Sequence, residues 1–554
     1  MSKRSYDQIL VEQETEIGCM EMQISDSDSN SESEDKNETN DGCSYISHLH
    51  GWWEVDLENM QSAPPPFNFN IDPKLNIEMD EKATPLQYFE IFFDEPLISV
   101  LVSETNNFAN QQIVKEGSYT KNKVWEELTD KEVKIFIGLL LLQDVVSLPR
   151  QEWYWSKRES IQVPIFSKIM TRDRFRNIMK YWHFGDNICP RMYEVIEYVR
   201  AKCSQVLTPK SSIGIDETMH LFKDRLGWKQ YVPMKRSHYG MKSYSLFESE
   251  TGYIWNFFFY LGKNTAFSEE FKNFSRSTKI VLQLMTHLLD KGYCLTLDSS
   301  FSSPVLADYF VTRSTDVFGT INPNKKDLPT DLEKRKLLKG EVMAFQRGKV
   351  MVLKWQGNKK AICALSTIHD ASMKTTKFRR GKDCLKPTLL FDYNNAMGSL
   401  DRSSTISENE LGEEPSAKQP KKYFKAVFRH LMDICVYNSF IIYKKNTKNT
   451  KRSFLEFKMD IIEGLLEDNR EAKRQVTHKS LNIARLTERH FISHVPPNKV
   501  KKEPCRRCII CCAKKNSEGN KIRKETRFWC EDCKVGLCID PCFKEYHTKA
   551  NIDH

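Results

Sequence analysis

Seven cysteine and histidine residues near the end of the chain follow a spacing that constrains how this segment can fold. They form three groups, Cys508-x2-Cys511, Cys530-x2-Cys533 and Cys538-x3-Cys542-x4-His547. Cysteine pairs separated by two residues are typical ligands of tetrahedral zinc. A segment this short also needs a cross-link, such as a bound metal ion, in order to fold. We therefore predict structural zinc that is coordinated entirely by protein ligands.

Two tetrahedral zinc ions need eight ligands, and the pattern supplies seven. Cys505 and Cys512 are the candidates for the eighth position. An interleaved, cross-brace arrangement is expected, but the spacing does not tell which ligands share an ion. Eight of the sixteen cysteines lie outside this cluster and are scattered singly, so we interpret them as buried apolar thiols. No apolar secretory segment follows the N-terminus, which predicts an intracellular protein without a disulfide framework.

The cysteine-rich segment is strongly basic. Between Lys499 and Arg527 there are eleven Lys or Arg and three Glu. This excess favours a polyanionic partner such as DNA. A RING- or PHD-like module that binds protein and a merely solvated basic tail are the alternatives. The candidate phosphate contacts are Lys514, Lys515, Lys521, Arg523, Lys524 and Arg527.

The N-terminal region is acidic and has little capacity to form a core. Between Ser25 and Asp41 there are seven acids and one lysine, and a stiff Pro64-Pro65-Pro66 follows. We predict that residues 1–82 are disordered. Trp52 and Trp53 are either a short docking element or chance aromatics. The most apolar run, Phe136 to Val146, is too short to span a membrane, so no membrane association is expected.

Helical periodicity dominates residues 83–205. Apolar residues recur at helical spacing after Pro85, a second helix is predicted from Asp130 to Leu142, and a third spans Thr171 to Tyr181. The third helix carries basic residues at Arg172, Arg174, Arg176 and Lys180. We predict a helical dimerisation or DNA-binding segment, and residues 406–490 form a second one.

Strand patterns begin near Ser211 and indicate a mixed α/β core. The predicted strands are Ile213–Ile215, Lys242–Phe247, Tyr253–Leu261 and Tyr293–Leu297, and the predicted helices are Lys279–Leu289 and Ser303–Phe310. The core comprises residues 206–320 and 387–405. A basic β-rich insertion at 321–386 interrupts it, with strands Val342–Phe345, Val350–Trp355 and Ala361–Ser366. A linker at 491–504 leads to the cysteine-rich zinc domain at 505–554.

Three aspartates occupy positions where metal chemistry is common. Asp216 and Asp298 each follow a predicted strand, and Asp401 opens a polar segment. Carboxylates at strand ends point into the crevice where ligands of α/β sheets bind, and together they would hold Mg²⁺. Two such ions can clamp the attacking and leaving oxygens of a phosphodiester. Taken alone, each aspartate is better explained as a turn or cap residue, which Asp often is.

Several separate motifs surround these aspartates, and together they resemble the piggyBac transposase family. The likeness extends from about Leu86 to the last residues of the chain. The motifs that carry it are Met170-Thr-Arg172-Asp-Arg174-Phe175, His183-Phe184-Gly-Asp186-Asn187, Ile215-Asp216-Glu217-Thr-Met, Tyr231-Val-Pro-Met-Lys235, Gly240-Met-Lys242, Ser249-Glu250-Thr251-Gly252-Tyr253, Leu297-Asp298-Ser-Ser-Phe301-Ser-Ser303-Pro304, Asp392-Tyr393-Asn394 and Met397-Gly398-Ser-Leu-Asp401.

This resemblance implies an RNase H-like catalytic domain with a small insertion, flanking helical segments, and a C-terminal module that binds the transposon end. It also implies that Asp216, Asp298 and Asp401 hold two divalent metals, which activate water and then a 3′ hydroxyl. Cleavage would pass through DNA hairpins, and integration would occur at TTAA. A homodimer acting on double-stranded DNA in the nucleus is expected.

The chain departs from the family pattern after the third aspartate. Where the family has a second acid and then glutamine, this chain has Ser404 and Thr405. Where the family is basic, Ser407 to Glu414 holds four glutamates and no basic residue, and Tyr423 stands at a tryptophan position. Acids repel phosphates, so these changes predict weaker DNA contact. A catalytically impaired DNA- or chromatin-binding relative is therefore the second hypothesis, and a protein-interaction scaffold is the third.

Overall fold

The computed structural model describes residues 51–115, 125–184, 190–221, 230–231, 239–262, 265–358, 360–377, 383–398, 423–449, 451–479, 490–497, 502–514 and 522–549. The chain divides into two units, Met1–Leu466 and Glu467–His554. Across the described ranges, no helix is both long and apolar enough to cross a membrane.

The helices are numbered α1 to α14 in chain order. Their bounds are α1 Pro85–Glu90, α2 Glu95–Lys115, α3 Asp130–Val145, α4 Pro164–Ile169, α5 Arg172–Tyr181, α6 Pro190–Val206, α7 Arg276–Met285, α8 Pro304–Thr312, α9 Thr330–Lys334, α10 388–398, α11 Tyr423–Thr447, α12 Phe454–Lys479, α13 Ile509–Ala513 and α14 Cys542–Thr548.

The strands are numbered β1 to β17 in the same way. Their bounds are β1 Trp53–Glu54, β2 Ser212–Leu221, β3 Gln230–Tyr231, β4 Tyr239–Glu248, β5 Ile254–Tyr260, β6 Cys294–Leu297, β7 Asp316–Thr320, β8 Val342–Arg347, β9 Val350–Gln356, β10 Ala361–Ser366, β11 Met373–Lys377, β12 Asp383–Pro387, β13 Ile492–His494, β14 Arg506–Arg507, β15 Glu525–Thr526, β16 Phe528–Cys530 and β17 Val535–Gly536.

Hydroxyl residues at the helix starts explain why the helices were predictable. Thr84 and Gln87 form a reciprocal capping box at the start of α1. The Thr171 hydroxyl accepts a hydrogen bond from the Arg174 amide at the start of α5, and Ser303 caps α8 in the same way. Each cap satisfies an amide that would otherwise lack a partner at the helix N-terminus.

One mixed sheet forms the centre of the first unit. Its strand order is β1-β8-β9-β10-β7-β6-β2-β4-β3, and β5 also pairs with β4. β6 runs parallel to β2 and β7, and the other pairs are antiparallel. The predicted α/β fold class is therefore confirmed.

The predicted β-rich insertion does form strands, but they are not a separate sheet. β10 pairs with β7, and β9 and β8 follow outward, so residues 342–366 extend the central sheet. Among the described residues of 321–386, only β11 and β12 form an antiparallel pair of their own. The local sequence favours strands at these positions. Which strand pairs with which depends on contacts between residues that are distant in sequence.

The helical segments before and after the sheet strands share one hydrophobic core. Phe428 of α11 packs against Phe93, Trp182 and Phe184, with ring centroids 5.1–6.4 Å apart. A Cβ added at Gly138 of α3 would lie 3.0 Å from Leu466 of α12, so the two helices approach closely at this glycine. The two segments therefore form a single helical body.

Residues 51–82 pack against the core, so the prediction of disorder across 1–82 is wrong for this part. We call residues 51–82 the N-terminal strap. Its strand β1 pairs with β8. The Trp52 indole donates to the Asp327 carbonyl at 2.8 Å, and the Arg347 guanidinium lies 4.4 Å from the centre of its ring. Trp52 therefore anchors the strap.

Further contacts hold the strap along the rest of the unit. The Phe67 amide donates to the buried carboxylate of Asp316 at 2.7 Å. Phe69 packs edge-on against Tyr293, with ring centroids 4.9 Å apart. The Asn76 amide bonds the Val206 carbonyl. Each contact joins residues more than 100 positions apart, so no local periodicity reveals them.

The second unit is a small module with two short sheets. β13, β16 and β17 form one, and β14 and β15 form the other. β13 lies within residues 491–504, which the sequence analysis assigns to a linker. It pairs with β16 from Ile492 to His494. The module therefore begins before residue 505.

Candidate active site and metal centres

The register of the parallel strands brings two of the predicted aspartates level with each other. Gly214 of β2 pairs with Thr296 of β6, and two residues further along lie Asp216 and Asp298. Residues in register on parallel strands face the same side, and neighbouring strands are about 4.8 Å apart. Extended by two residues, this register predicts that the half-buried side chains of Asp216 and Asp298 lie on the same face of the sheet.

Asp298 follows the last residue of β6, and its carboxylate is held by local donors. The Ser299 amide donates to Oδ1 at 2.6 Å, and the Thr320 hydroxyl of β7 lies 3.3 Å from the same oxygen. The Phe301 and Ser302 amides donate to its carbonyl and close the turn. These bonds fix the carboxylate at the carboxyl edge of the parallel strands, where ligands of such sheets bind.

Asp216 does not end its strand, contrary to the sequence prediction. β2 continues to Leu221, because β4 pairs with it from Ile213 to Leu221. The parallel pairing of β2 with β6, in contrast, stops at Gly214. Asp216 therefore lies where the strand passes beyond its parallel neighbour.

The third aspartate, Asp401, lies outside the described residues, as do Ser404 and the acidic segment Ser407–Glu414. The last described residue of α10 is three positions before Asp401. α10 packs on β7 through Tyr393 and Ala396, which contact Phe318. Phe318 is in register with Thr296 and Gly214, so α10 covers the sheet face that carries Asp216 and Asp298.

Eight cysteine and histidine side chains of the second unit converge in two groups of four. Within each group all ligand atoms lie within 4.8 Å of one another. The groups are Cys508, Cys511, Cys538 and Cys542, and His490, Cys530, Cys533 and His547. The two groups interleave along the chain: His490 comes first, three cysteine pairs alternate between the groups, and His547 comes last.

The spacing within each group fits tetrahedral zinc. Cys511 Sγ lies 3.9 and 3.4 Å from the sulfurs of Cys538 and Cys542. Cys533 Sγ lies 3.6 Å from His490 Nδ1 and 3.5 Å from His547 Nε2. Tetrahedral zinc with standard bond lengths requires about 3.8 Å between sulfurs and about 3.6 Å between sulfur and nitrogen.

Hydrogen bonds favour the metal-binding tautomer or ionisation state of individual ligands. His547 Nδ1 donates to the Phe543 carbonyl at 2.8 Å, which leaves Nε2 free to coordinate a metal. Burial acts to raise the pKa of the Cys508 thiol, but hydrogen bonds from the backbone of Cys511 and Cys538 outweigh it and lower the pKa to about 7. The thiolate, which is the form that binds zinc, is thereby favoured at Cys508, whereas burial and the neighbouring Cys508 raise the pKa of Cys538 to about 11.

Comparison with known proteins now decides the family. The family model described as "Transposase IS4" matches residues 84–440, which is more than half of the chain, and "DDE_Tnp_1-like zinc finger" matches residues 487–548. The chain belongs to the piggyBac-type transposase family. The zinc-finger match includes all eight residues of the two groups.

Relatives and a solved structure agree with this assignment. Human piggyBac transposable element-derived protein 3 is 24% identical over 486 residues, which cover 84% of this chain and 76% of that protein. Human piggyBac transposable element-derived protein 2 is 22% identical and covers 79% of this chain and 74% of its own length. The piggyBac transposase synaptic complex with hairpin DNA, solved by cryo-EM, has a TM-score of 0.64 at 20% identity, covering 85% of this chain and 99% of that one. This last likeness shows the fold.

His490 is the ligand that the sequence analysis of this piggyBac-type chain missed. It lies before the diproline Pro496-Pro497, apart from the cysteine cluster, and β13 brings it to Cys530. Neither candidate for the eighth position joins a group. Cys505 is exposed, and Cys512 Sγ lies instead 3.4 Å from the Lys524 amide. The signal that could have revealed His490 is the unfilled eighth position itself.

The four predicted phosphate contacts that the structure describes are exposed, but three of them have acidic neighbours. Arg527 lies 2.8 Å from Glu503, Arg523 lies 3.2 Å from Glu525, and Lys514 lies 4.0 Å from Glu545. Exposed pairs of this kind are weak, so a phosphate could displace the carboxylate. Lys524 is also exposed. Lys515 and Lys521 lie outside the described residues.

In the predicted basic helix α5, one of the four basic side chains is structural. Arg174 makes a bidentate ion pair with Glu132 at 2.5 and 2.6 Å, and its guanidinium lies 4.9 Å from the Trp125 ring centre. Arg172, Arg176 and Lys180 remain exposed along the helix. Their exposure is compatible with phosphate contacts, although Arg172 also pairs with Asp173 and Lys180 with the Tyr181 hydroxyl. The ion pair of Arg174 is not compatible with such a contact.

Proposed function

We propose that this chain is a DNA transposase that cuts and rejoins DNA by metal-dependent phosphodiester transfer. The observation that supports the proposal is the parallel register of β2, β6 and β7, from which we infer that Asp216 lies beside Asp298 at the carboxyl edge of these strands. Membership of the piggyBac-type family supports it. Asp401, delivered after α10, is proposed as the third carboxylate.

Asp216 and Asp298 fit a site for hard divalent cations because they offer carboxylate oxygens on one sheet face. When bound there, two Mg²⁺ ions would lower the pKa of the attacking hydroxyl and stabilise the leaving oxygen. The chain's own part is to hold the carboxylates in place. The Thr320 hydroxyl and the Ser299 amide both donate to Oδ1 of Asp298 and so hold its carboxylate in one orientation, in which it would bind a metal with little rearrangement.

The proposed substrate is double-stranded DNA carrying transposon ends. The solved relative is a synaptic complex with hairpin DNA, which supports a route through hairpin ends for this chain. Exposed basic residues on α5 and in the zinc module, by which we mean the zinc-finger segment at residues 487–548, provide phosphate contacts. We further propose insertion at TTAA, action as a homodimer and residence in the nucleus.

A second candidate function is DNA binding without cleavage. It is favoured by Ser404 in place of an acid and by the four glutamates in Ser407–Glu414. The relatives of this chain include proteins named as derived from transposable elements, which supports the same alternative.

An excision assay in cells separates the two functions. A reporter plasmid would carry the repeats that flank this gene, and Asp298→Ala would serve as the inactive control. Footprint-free excision that disappears in the control supports the transposase. Absence of excision together with measured end binding favours the DNA-binding relative. Ser404→Asp combined with a basic 407–414 segment should then raise excision if these departures are limiting.

A further inference from the structure

A histidine beyond the three aspartates ties α10 to the sheet. His369 lies three residues after the end of β10 and is almost fully buried. Its Nδ1 lies 2.8 Å from the hydroxyl of Ser366, the last residue of β10. Its Nε2 lies 3.2 Å from the Asp392 carboxylate on α10. The side chain therefore bridges the end of a strand and the helix.

The hydrogen bonds around Ser366 determine which nitrogen of His369 carries the proton. The Ser366 oxygen already accepts from the amides of Ile368 and His369, each at 3.0 Å. With both lone pairs used, its hydroxyl must donate to Nδ1. The proton of the neutral ring therefore sits on Nε2 and is donated to Asp392. Burial lowers the pKa of His369, and Asp392 opposes this only in part.

The hydrogen-bonded bridge Ser366–His369–Asp392 lies close to the proposed active site. The His369 ring packs edge-on against Phe318, with centroids 5.0 Å apart, and Phe318 pairs directly with Ser366. Two residues along β7, Thr320 faces the same side of the sheet and contacts Asp298 at 3.3 Å. His369 thus fixes α10 relative to the strand that orients Asp298.

We propose that His369 is a positioning residue: together with Asp392 and Phe318 it holds α10 against β7, whose Thr320 contacts Asp298 on the sheet face of the proposed metal site. Its effect on metal binding and cleavage rests on the proposed function. A merely structural role would instead stabilise the fold without affecting the metal requirement.

The test compares His369→Ala with His369→Gln in the full chain. Glutamine can still donate a neutral N–H to Asp392, so it should rescue much of the loss. Mn²⁺ binding is measured by calorimetry, with Asp298→Ala as the reference for the site. Partners that bond a metal ligand directly contribute about 10- to 100-fold, and His369 acts one step further out, so His369→Ala should weaken Mn²⁺ binding and raise the half-saturating metal concentration for nicking by up to about tenfold.

Hydrogen exchange separates failure of this proposal from failure of the proposed function. In His369→Ala, amides of 388–398 should exchange about tenfold faster or more, while those of α7 stay unchanged. Faster local exchange with unaltered Mn²⁺ affinity would overturn the positioning role. Unaltered exchange in 388–398 would overturn the claim that His369 holds α10 on the sheet. If the natural chain neither nicks DNA nor binds Mn²⁺ through Asp298, the proposed function fails, and with it the positioning of a metal ligand.

Discussion

At the scale of single residues, local spacing determined what could be predicted. Cys508 and Cys511, or Cys530 and Cys533, are separated by two residues, so their shared ligation is visible in the sequence. His490 lies 18 positions before Cys508, and only the pairing of β13 with β16 brings it to the second group. Asp216 and Asp298 were identifiable as candidates, but their adjacency depends on strand register, which the sequence does not show.

The zinc ligands give the first prediction. The natural chain should contain two tightly held zinc ions, because the structure has two groups of four ligands. His490→Ala should lose or strongly weaken one of them, since three ligands remain in that group. Zinc released to a chromophoric chelator after unfolding gives the stoichiometry.

Cys505→Ser and Cys512→Ser are the matched controls, and both should retain two ions because neither residue belongs to a group. Loss of an ion in either serine variant, with full zinc content in His490→Ala, would refute this assignment of the eighth ligand.

Gly319 gives a second prediction at this scale. It lies in β7, and an added Cβ would stand 1.9 Å from the Leu297 carbonyl oxygen of β6. Gly319→Ala should therefore push the two parallel strands apart and destabilise the chain by about 1–3 kcal/mol. Urea unfolding measures the change. Gly51→Ala is the control, because its Cβ would meet nothing within 4 Å. Equal stability of the two variants would show that β6 and β7 do not pack as described.

At the scale of elements, helices were predicted well and strand partners poorly. A helix is closed by bonds within itself and by caps such as Thr171 and Ser303, so its signals are local. Strands β8 to β10 were recognised as strands, but their addition to β7 was not. The strap escaped prediction because it is held by single contacts, such as Phe69 on Tyr293, to residues far along the chain.

The strap gives a prediction at this scale. Deletion of residues 1–50 should leave the melting temperature unchanged within error. Deletion of residues 1–82 should lower it by about 5 °C or more, because contacts such as Trp52 with Arg347 and Phe67 with Asp316 are lost. Calorimetry on the two truncated chains tests this. Equal melting temperatures would mean that the strap contributes no net stability.

At the scale of the whole molecule, one mixed sheet carries the candidate active site, and a separate unit carries the zinc groups. The helical segments that flank the sheet in sequence share one core with it. The family resemblance anticipated this architecture. The sequence alone could not tell whether the insertion was independent or whether the module began at His490, because both depend on pairing between distant segments.

The zinc module gives a prediction about DNA at this scale. Lys524 is exposed and basic, so Lys524→Ala should weaken binding to end-containing DNA and reduce the slope of log K against log salt by about 0.9. Fluorescence anisotropy between low and moderate salt measures this slope. An unchanged slope would remove Lys524 from the phosphate contacts.

The most direct test of the central claim is nicking of end-containing DNA by the purified chain as a function of Mg²⁺. Asp216→Asn and Asp298→Asn should each abolish nicking while leaving DNA binding and folding intact. Asp290→Asn, at the amino end of β6 where Arg313 pairs with the carboxylate, should nick normally. Nicking that persists in both Asp216→Asn and Asp298→Asn would contradict a metal site built on Asp216 and Asp298. Equal loss of nicking in Asp290→Asn would contradict it as well.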